Sequence, residues 1–240
     1  MNIQLMQKRS YRSDGMLVVH SIFHTIQGEG PFTGHRATFV RLADCNLQCP
    51  NCDTDYTSSR REMSPLEIIE EIYCEGVTPA LVVITGGEPF RQDITELCYR
   101  LLRNGFHVQV ETNGTLPLPT EKFESLCTIQ THRRDSVFIV CSPKTNRLNR
   151  TVIPYIGAYK YVIRDGDDYG DGLPCNVLDS SSVGSAVARP PKGYGGPIYI
   201  QPEDEHDEER NKRNLRAAVE SCMKYGHILQ IQIHKLIGVE

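Results

Sequence analysis

The 240-residue sequence has no apolar run approaching the roughly 18 residues of a membrane-spanning helix, so no span is predicted. Its first residues, MNIQLMQKRSYRSDGM, lack the apolar core of about 7–15 residues that a secretory signal needs. Residues 1–16 therefore read as a mobile lead-in to the first strand, in a chain expected to stay in the cytosol. Positive charge is also short. Lys and Arg number 26 against 30 Asp and Glu, a net charge of −4, which gives no electrostatic reason to expect direct nucleic-acid binding. There is no internal repeat and no tryptophan. A second CxxC-like pair, which would close a structural zinc site, is missing as well.

Apolar residues make up 39% of the chain, enough for a sizeable core. Nine cysteines in a reducing compartment argue for free thiols rather than disulfides. Six of them, Cys74, Cys98, Cys127, Cys141, Cys175 and Cys222, are scattered singly and read as small buried hydrophobes. Strands are predicted at 17–23, 37–43, 80–85, 107–111, 137–141, 159–163, 198–202 and 228–234. Helices are predicted at 64–75, 92–104 and 206–225. Ser64, Pro65 and Glu67 form a start signal with a capping box, and Leu66, Ile69, Ile72 and Tyr73 fall near helical spacing. The acidic run at 203–210 reads as a solvated helix start.

Strands alternating with helices predict a parallel sheet with right-handed crossovers. The helices are too few for a closed eight-unit barrel of about 250 residues. The expectation is one α/β domain built as an incomplete, partial TIM-like barrel. Residues 164–197, with seven of the 19 glycines and four of the 14 prolines, read as a long mobile insertion: a solvated loop, or else a lid or partner surface.

Chemistry concentrates in DCNLQCPNCDT, where Cys45, Cys49 and Cys52 are spaced C-x3-C-x2-C. Three thiolates could hold zinc if His24 or His234 completed the set, or an iron–sulfur cluster with one iron left open. The polar, turn-prone residues between them suit a loop wrapped around a cluster. The loop follows a strand, where barrels of this kind carry their active sites.

C-x3-C-x2-C in this position resembles the radical S-adenosylmethionine (SAM) superfamily. The resemblance implies a [4Fe–4S] cluster on Cys45, Cys49 and Cys52, with SAM on the open iron. It also implies an external electron donor and a radical that abstracts a substrate hydrogen. TGGEP, containing Gly87 and Glu88, resembles the superfamily's contact with the methionine part of SAM, Glu88 accepting from its ammonium group. Glu111, Ser142, Lys144 and Gln201, at successive strand ends, resemble the rest of that edge, with Asn51 and Asp53 beside the third cysteine. Members commonly carry an aromatic residue where this chain has Asn51.

A narrower resemblance rests on SIFHTIQGEGPFTGHRATFVRLADCNLQCPNCDT together with the ending QIHKLIGVE. Both are similar to the 7-carboxy-7-deazaguanine synthase family. That family converts 6-carboxy-5,6,7,8-tetrahydropterin to 7-carboxy-7-deazaguanine with loss of ammonia, regenerating SAM, assisted by Mg2+, as a homodimer. The resemblance implies substrate contacts at Ile26, Gln27, Gly28, Glu29, Arg41, Thr85, His234 and the terminal Glu240, and a Mg2+ ligand at Thr54. A bidentate Arg41 suits the pterin carboxylate. The readings it competes with are a glycyl-radical activase of the same superfamily and a non-catalytic zinc-binding module.

Overall fold

A computed structural model describes residues 2–73, 80–131, 133–175 and 186–239. The strands are β1 (Leu17–Ile26), β2 (Arg36–Leu42), β3 (Arg61–Met63), β4 (Leu81–Gly86), β5 (His107–Thr112), β6 (Cys127–Thr128), β7 (Val137–Cys141), β8 (Ile156–Ile163), β9 (Ile198–Pro202) and β10 (Ile228–Leu229). The helices are α1 (Pro65–Tyr73), α2 (Thr95–Arg103), α3 (Glu121–Leu126), α4 (Glu208–Tyr225) and α5 (Ile233–Ile237). The strands form one open sheet in the order β10-β9-β8-β7-β5-β4-β2-β1-β3, with β6 also on β7. From β2 to β10 every pairing is parallel, while β1 runs antiparallel to β2 and β3. This is the expected partial barrel.

Successive side chains in a strand face opposite sides, and the register sorts them. One face carries Val40, Leu42, Val82, Ile84, Val108, Val110, Ile139, Tyr159 and Tyr161, all packed in the main core with Ile68 and Ile72 of α1, Leu97 and Leu101 of α2, Phe123 of α3 and Ala218 of α4. The other face is apolar only at the start of the strands. There Ala37, Leu81, Val83, Phe138, Val140 and Ala158 pack around Phe32, which closes the floor. Further along the same face stand Arg41, Thr85, Glu111, Ser142 and Lys160, and all five line a cavity. The sheet's period thus separates floor from site.

The predicted helices start and stop close to expectation. The Ser64–Glu67 capping box forms, with Ser64 N donating to Glu67 Oε2 at 2.7 Å and Glu67 N to Ser64 Oγ at 3.3 Å. The buried face of α1 is Ile68, Ile69 and Ile72, however, and Leu66 and Tyr73 are exposed. α2 begins three residues later than predicted, because Gln92 is spent on the backbone of Val18 and Asp93 accepts from Thr95 N. Asp207 caps α4 through Arg210 N at 2.9 Å, so the acidic run is a helix start.

The predicted strand 228–234 is corrected: only Ile228–Leu229 pair, and Ile233–Ile237 is helical. Gln230 breaks the pattern. Its buried amide accepts from Gly30 N and donates to Gln201 Oε1 at 2.6 Å, turning the chain toward the cavity. The segment 164–197 is only partly loop-like. Of its described flanks, Leu173 and Val187 join the core, Arg189 pairs with Asp171 at 2.8 Å, and Gly170 and Gly172 carbonyls accept from Tyr225 and Ser221 of α4. Residues 176–185 lie outside the described residues. Cys98 and Cys141 are buried in the core, and Cys127 and Cys222 pack against it. Cys74 lies outside the described residues. No helix among the described residues is long and apolar enough to cross a membrane.

Candidate active site

A cavity of about 570 Å³ opens at the C-terminal ends of the parallel strands, the usual place for a site in such sheets. Cys45, Cys49, Cys52, Asp53 and Thr54 line it, along with Ile26, Gln27, Glu29, Arg41, Thr85, Gly87, Glu111, Ser142, Lys144, Gln201 and His234. Residues spread over more than two hundred positions therefore meet in one place. Three expected residues do not line it. Asn51 is exposed and donates to Glu203 Oε1 at 2.8 Å. Gly28 lies behind His234, and a Cβ built on it would come 1.9 Å from His234 Nδ1. Only glycine lets the tail dock there. Glu88 is buried behind the wall, and Glu240 lies outside the described residues.

Glu88 was expected to meet an ammonium group, but its carboxylate is spent on the protein. It accepts from Phe90 N at 3.0 Å, Thr112 Oγ1 at 2.7 Å and Asn113 N at 2.8 Å. Burial raises its pKa to about 7 despite these bonds. Glu88 thus ties the turn after β4 to the turn after β5. Gly87 faces the cavity, and a Cβ on it would stand 1.9 Å from the Asp44 carbonyl oxygen. The cluster loop and this turn touch backbone to backbone, with Glu88 N donating to Asp44 O at 3.0 Å.

Burial pushes the Cys45 thiol up to about 12 and raises Cys49 and Cys52 too. The other two sulfurs add to the rise at Cys45, while the charge of Lys144 opposes it at Cys49 and Cys52. Leu47 N donates to Cys45 Sγ at 3.4 Å. Three soft donors, a backbone N–H on sulfur and a nearby cation suit a cluster of net negative charge. Thiols raised in this way must shed protons to bind metal. Among the described residues, no three His, Cys, Asp or Glu side chains close on one point as a single ion requires. A four-iron cluster needs a wider triangle, since each thiolate meets a different iron. His24, the other candidate for a zinc set, is bonded to Thr38 Oγ1 at 2.7 Å across β1 and β2.

The same cavity carries a polar wall that sequence reasoning did not assemble. Lys160 bonds to Glu29 Oε2 and, at 3.2 Å, to Glu111 Oε2. Gln232 donates to Glu29 Oε1 at 2.6 Å, and Gln27 and Gln109 donate to Glu111 Oε1 at 3.3 and 2.8 Å. Burial disfavours charge on Glu29, but the attraction and hydrogen bond of Lys160, with the Gln232 amide, outweigh it and hold the carboxyl well below the usual carboxylate range. Burial likewise works against the Lys160 charge, and the two carboxylates more than reverse this, raising its pKa above the lysine range. Lys160 did carry a sequence signal: a cation between two tyrosines in YKYVI, in a strand otherwise apolar. Arg41 lies over the Phe23 ring, 5.0 Å from its centroid, and Phe23 stacks on Phe39 at 5.4 Å. Register puts Arg41 beside Thr85.

Residues 40–131 match the Radical SAM superfamily. A 7-carboxy-7-deazaguanine synthase of Rhodospirillum rubrum is 38% identical over 240 residues, covering 93% of this chain and 92% of that protein. The chain belongs to the 7-carboxy-7-deazaguanine synthase family. A synthase of Rickettsia prowazekii is 36% identical over 97% of this chain and 94% of its own length. A crystal structure of QueE from Escherichia coli matches the fold with a TM-score of 0.67 at 24% identity, over 90% of this chain and 94% of that one. As a member of the 7-carboxy-7-deazaguanine synthase family, the chain is a radical SAM enzyme of 7-deazapurine biosynthesis, with a 4Fe–4S cluster and SAM as its cofactors. The zinc-module and activase readings are set aside.

Proposed function

We propose that this synthase holds its cluster on Cys45, Cys49 and Cys52 and binds SAM along Gly87, Glu111, Ser142, Lys144 and Gln201. In this reading 6-carboxy-5,6,7,8-tetrahydropterin lies against Ile26, Gln27, Glu29, Arg41, Thr85 and His234. The observation that carries it is the convergence of these side chains on one cavity at the strand ends. When bound, the cluster and SAM supply one-electron reduction and a hydrogen-abstracting radical. The chain itself orients. The Arg41 guanidinium, steadied by the Phe23 ring, pairs with the pterin carboxylate through two parallel hydrogen bonds. Glu29, held ionised beside Lys160, accepts from the amino and amide N–H edge. Thr85 and His234 bound the substrate from the sheet and from the tail, and the tail limits water entry.

Thr54 is the proposed Mg2+ ligand. It lines the cavity next to Asp53, whose Oδ1 accepts from its hydroxyl at 3.3 Å, and Mg2+ takes few protein oxygens beside its waters and substrate. Thr54→Ala should shift the Mg2+ titration of activity to higher concentration, and an unmoved titration removes the role. Two copies are proposed to pair through α4 and the free edge of the sheet. Leu215, Val219 and Met223, at i, i+4 and i+8, are exposed on α4, beside exposed Ile228 and Leu229 of the edge strand β10. Sedimentation of Met223→Glu at rising concentration should show a weakened dimer. The eight described cysteines are free thiols, which fits the reducing cytosol.

The deciding assay is anaerobic turnover of reconstituted protein with SAM, a strong reductant, Mg2+ and 6-carboxytetrahydropterin, read by mass spectrometry for 7-carboxy-7-deazaguanine. Cleavage of SAM without that product would mean that the substrate assignment is wrong.

A further inference from the structure

The segment Asn2–Arg9, predicted as a lead-in, lies along the outside of the cluster loop. Asn2 N donates to Pro50 O at 3.0 Å, and its side-chain amide to Cys49 O at 3.1 Å. Gln4 Nε2 donates to Thr54 O at 2.9 Å, and its Oε1 accepts from Tyr56 N at 2.8 Å and from Thr57 Oγ1 at 3.1 Å. Gln7 N donates to Cys45 O at 2.7 Å, where Met6 pairs with Cys45 in parallel register. Beyond the loop the segment is anchored again. The Arg91 guanidinium bonds to the carbonyls of Gln7 and Lys8 and pairs at 3.4 Å with Asp44, next to the first cysteine.

The alternation is that of an extended chain. Asn2 and Gln4 turn toward the loop, while Ile3 and Leu5 are 85% and 71% exposed. The chemistry of the loop explains the fit. A loop that wraps an anionic cluster turns its N–H groups toward the sulfurs, as Leu47 N does toward Cys45. Its carbonyls must then find donors outside. Four of them, on Cys45, Cys49, Pro50 and Thr54, find those donors in this segment.

We propose that Asn2–Arg9 is a strap that preorganises the loop 45–56 for its cluster and shields its outer side, with Asn2 and Gln4 as positioning residues. The inference rests on the reading that the three cysteines hold the cluster. A preset loop binds without ordering its backbone afresh. Removing both amides takes the side-chain donors from the Cys49 and Thr54 carbonyls and should speed cluster loss about tenfold or more.

The test uses the full chain, reconstituted anaerobically, as wild type, Asn2→Ala, Gln4→Ala, the double variant and Ile3→Ser. Iron and sulfide per chain, the decay of visible absorbance in air, and the electron paramagnetic resonance of the reduced cluster without SAM are measured. Apoprotein circular dichroism checks folding. The expected result is a folded double variant that loses its cluster about tenfold faster with an altered resonance line shape, single variants in between, and Ile3→Ser like wild type. Wild-type decay and line shape in the folded amide variants overturn the strap. If the double variant does not fold, the single variants decide in the same way. Wild type that takes up no iron and sulfide rejects the cluster reading itself, which is a separate outcome.

Discussion

Lys160 pairs with both the Glu29 and the Glu111 carboxylates, and replacing it by methionine keeps the bulk while removing the charge. In the wild type, the attraction and hydrogen bond of Lys160 hold the Glu29 carboxyl below its ordinary 4.5. A lowered carboxyl stabilises the fold above about pH 4.5, and that stability is lost as pH falls below that value. Lys160→Met removes the cause and leaves two carboxylates facing each other in a largely buried place. One of them then favours its proton, so the sign reverses and the variant loses stability as pH rises past about 4.5. Urea unfolding of the anaerobic apoprotein should show a loss of about 3–5 kcal/mol near pH 8 and a markedly smaller loss near pH 5. Lys160→Met/Glu29→Gln restores the site's net charge of −1, two carboxylates less one ammonium in the wild type and one carboxylate in the variant. It should recover most of the loss at pH 8. A single variant that costs less than about 1 kcal/mol at both pH values, or the same amount at both, refutes the argument.

Gly28→Ala should push His234 and the tail out of the cavity, because a Cβ there would stand 1.9 Å from the imidazole. KM for the pterin should rise at least about tenfold, ~1.4 kcal/mol, with SAM cleavage less affected; an unchanged KM would separate the tail from substrate binding. Glu88 has a raised pKa, about 7 against 4.5, so its contribution is complete below about pH 4.5 and fades by about 3 kcal/mol as pH rises through about 7. Glu88→Gln should abolish that slope in the apoprotein. It should also cost about 1–3 kcal/mol near pH 5, since its amide N–H must face the donor of Phe90 or of Asn113. A slope that survives the substitution assigns it to another group.

Local signals were legible where one element satisfies itself. The Ser64–Glu67 box, the Asp207 cap and the β-rich runs all follow from nearest-neighbour chemistry, and the corresponding elements start within a few residues of expectation. The cysteine spacing and the Gly-Gly turn could be read because their chemistry is compressed into a few positions. ILQIQIH misled because alternation alone cannot tell a strand from a turn. A buried amide, Gln230 on Gly30 and Gln201, ends the pairing after two residues.

What the sequence determined by itself was the type of fold and the family, and it singled out the three cysteines proposed as cluster ligands, since periodicity, spacing and motif are properties of the chain in order. The tertiary structure decided which polar groups face the cavity and which support it. Glu88 moved from expected ligand to internal brace because three donors from neighbouring turns surround it. Lys160 joined Glu29 and Glu111 across 131 and 49 positions, and Asn2 and Gln4 reached a loop about fifty residues away. Such contacts depend on strand order and register. A sequence specifies these only through the packing of the whole chain, where burial makes each unpaired charge or carbonyl costly enough to select its partner.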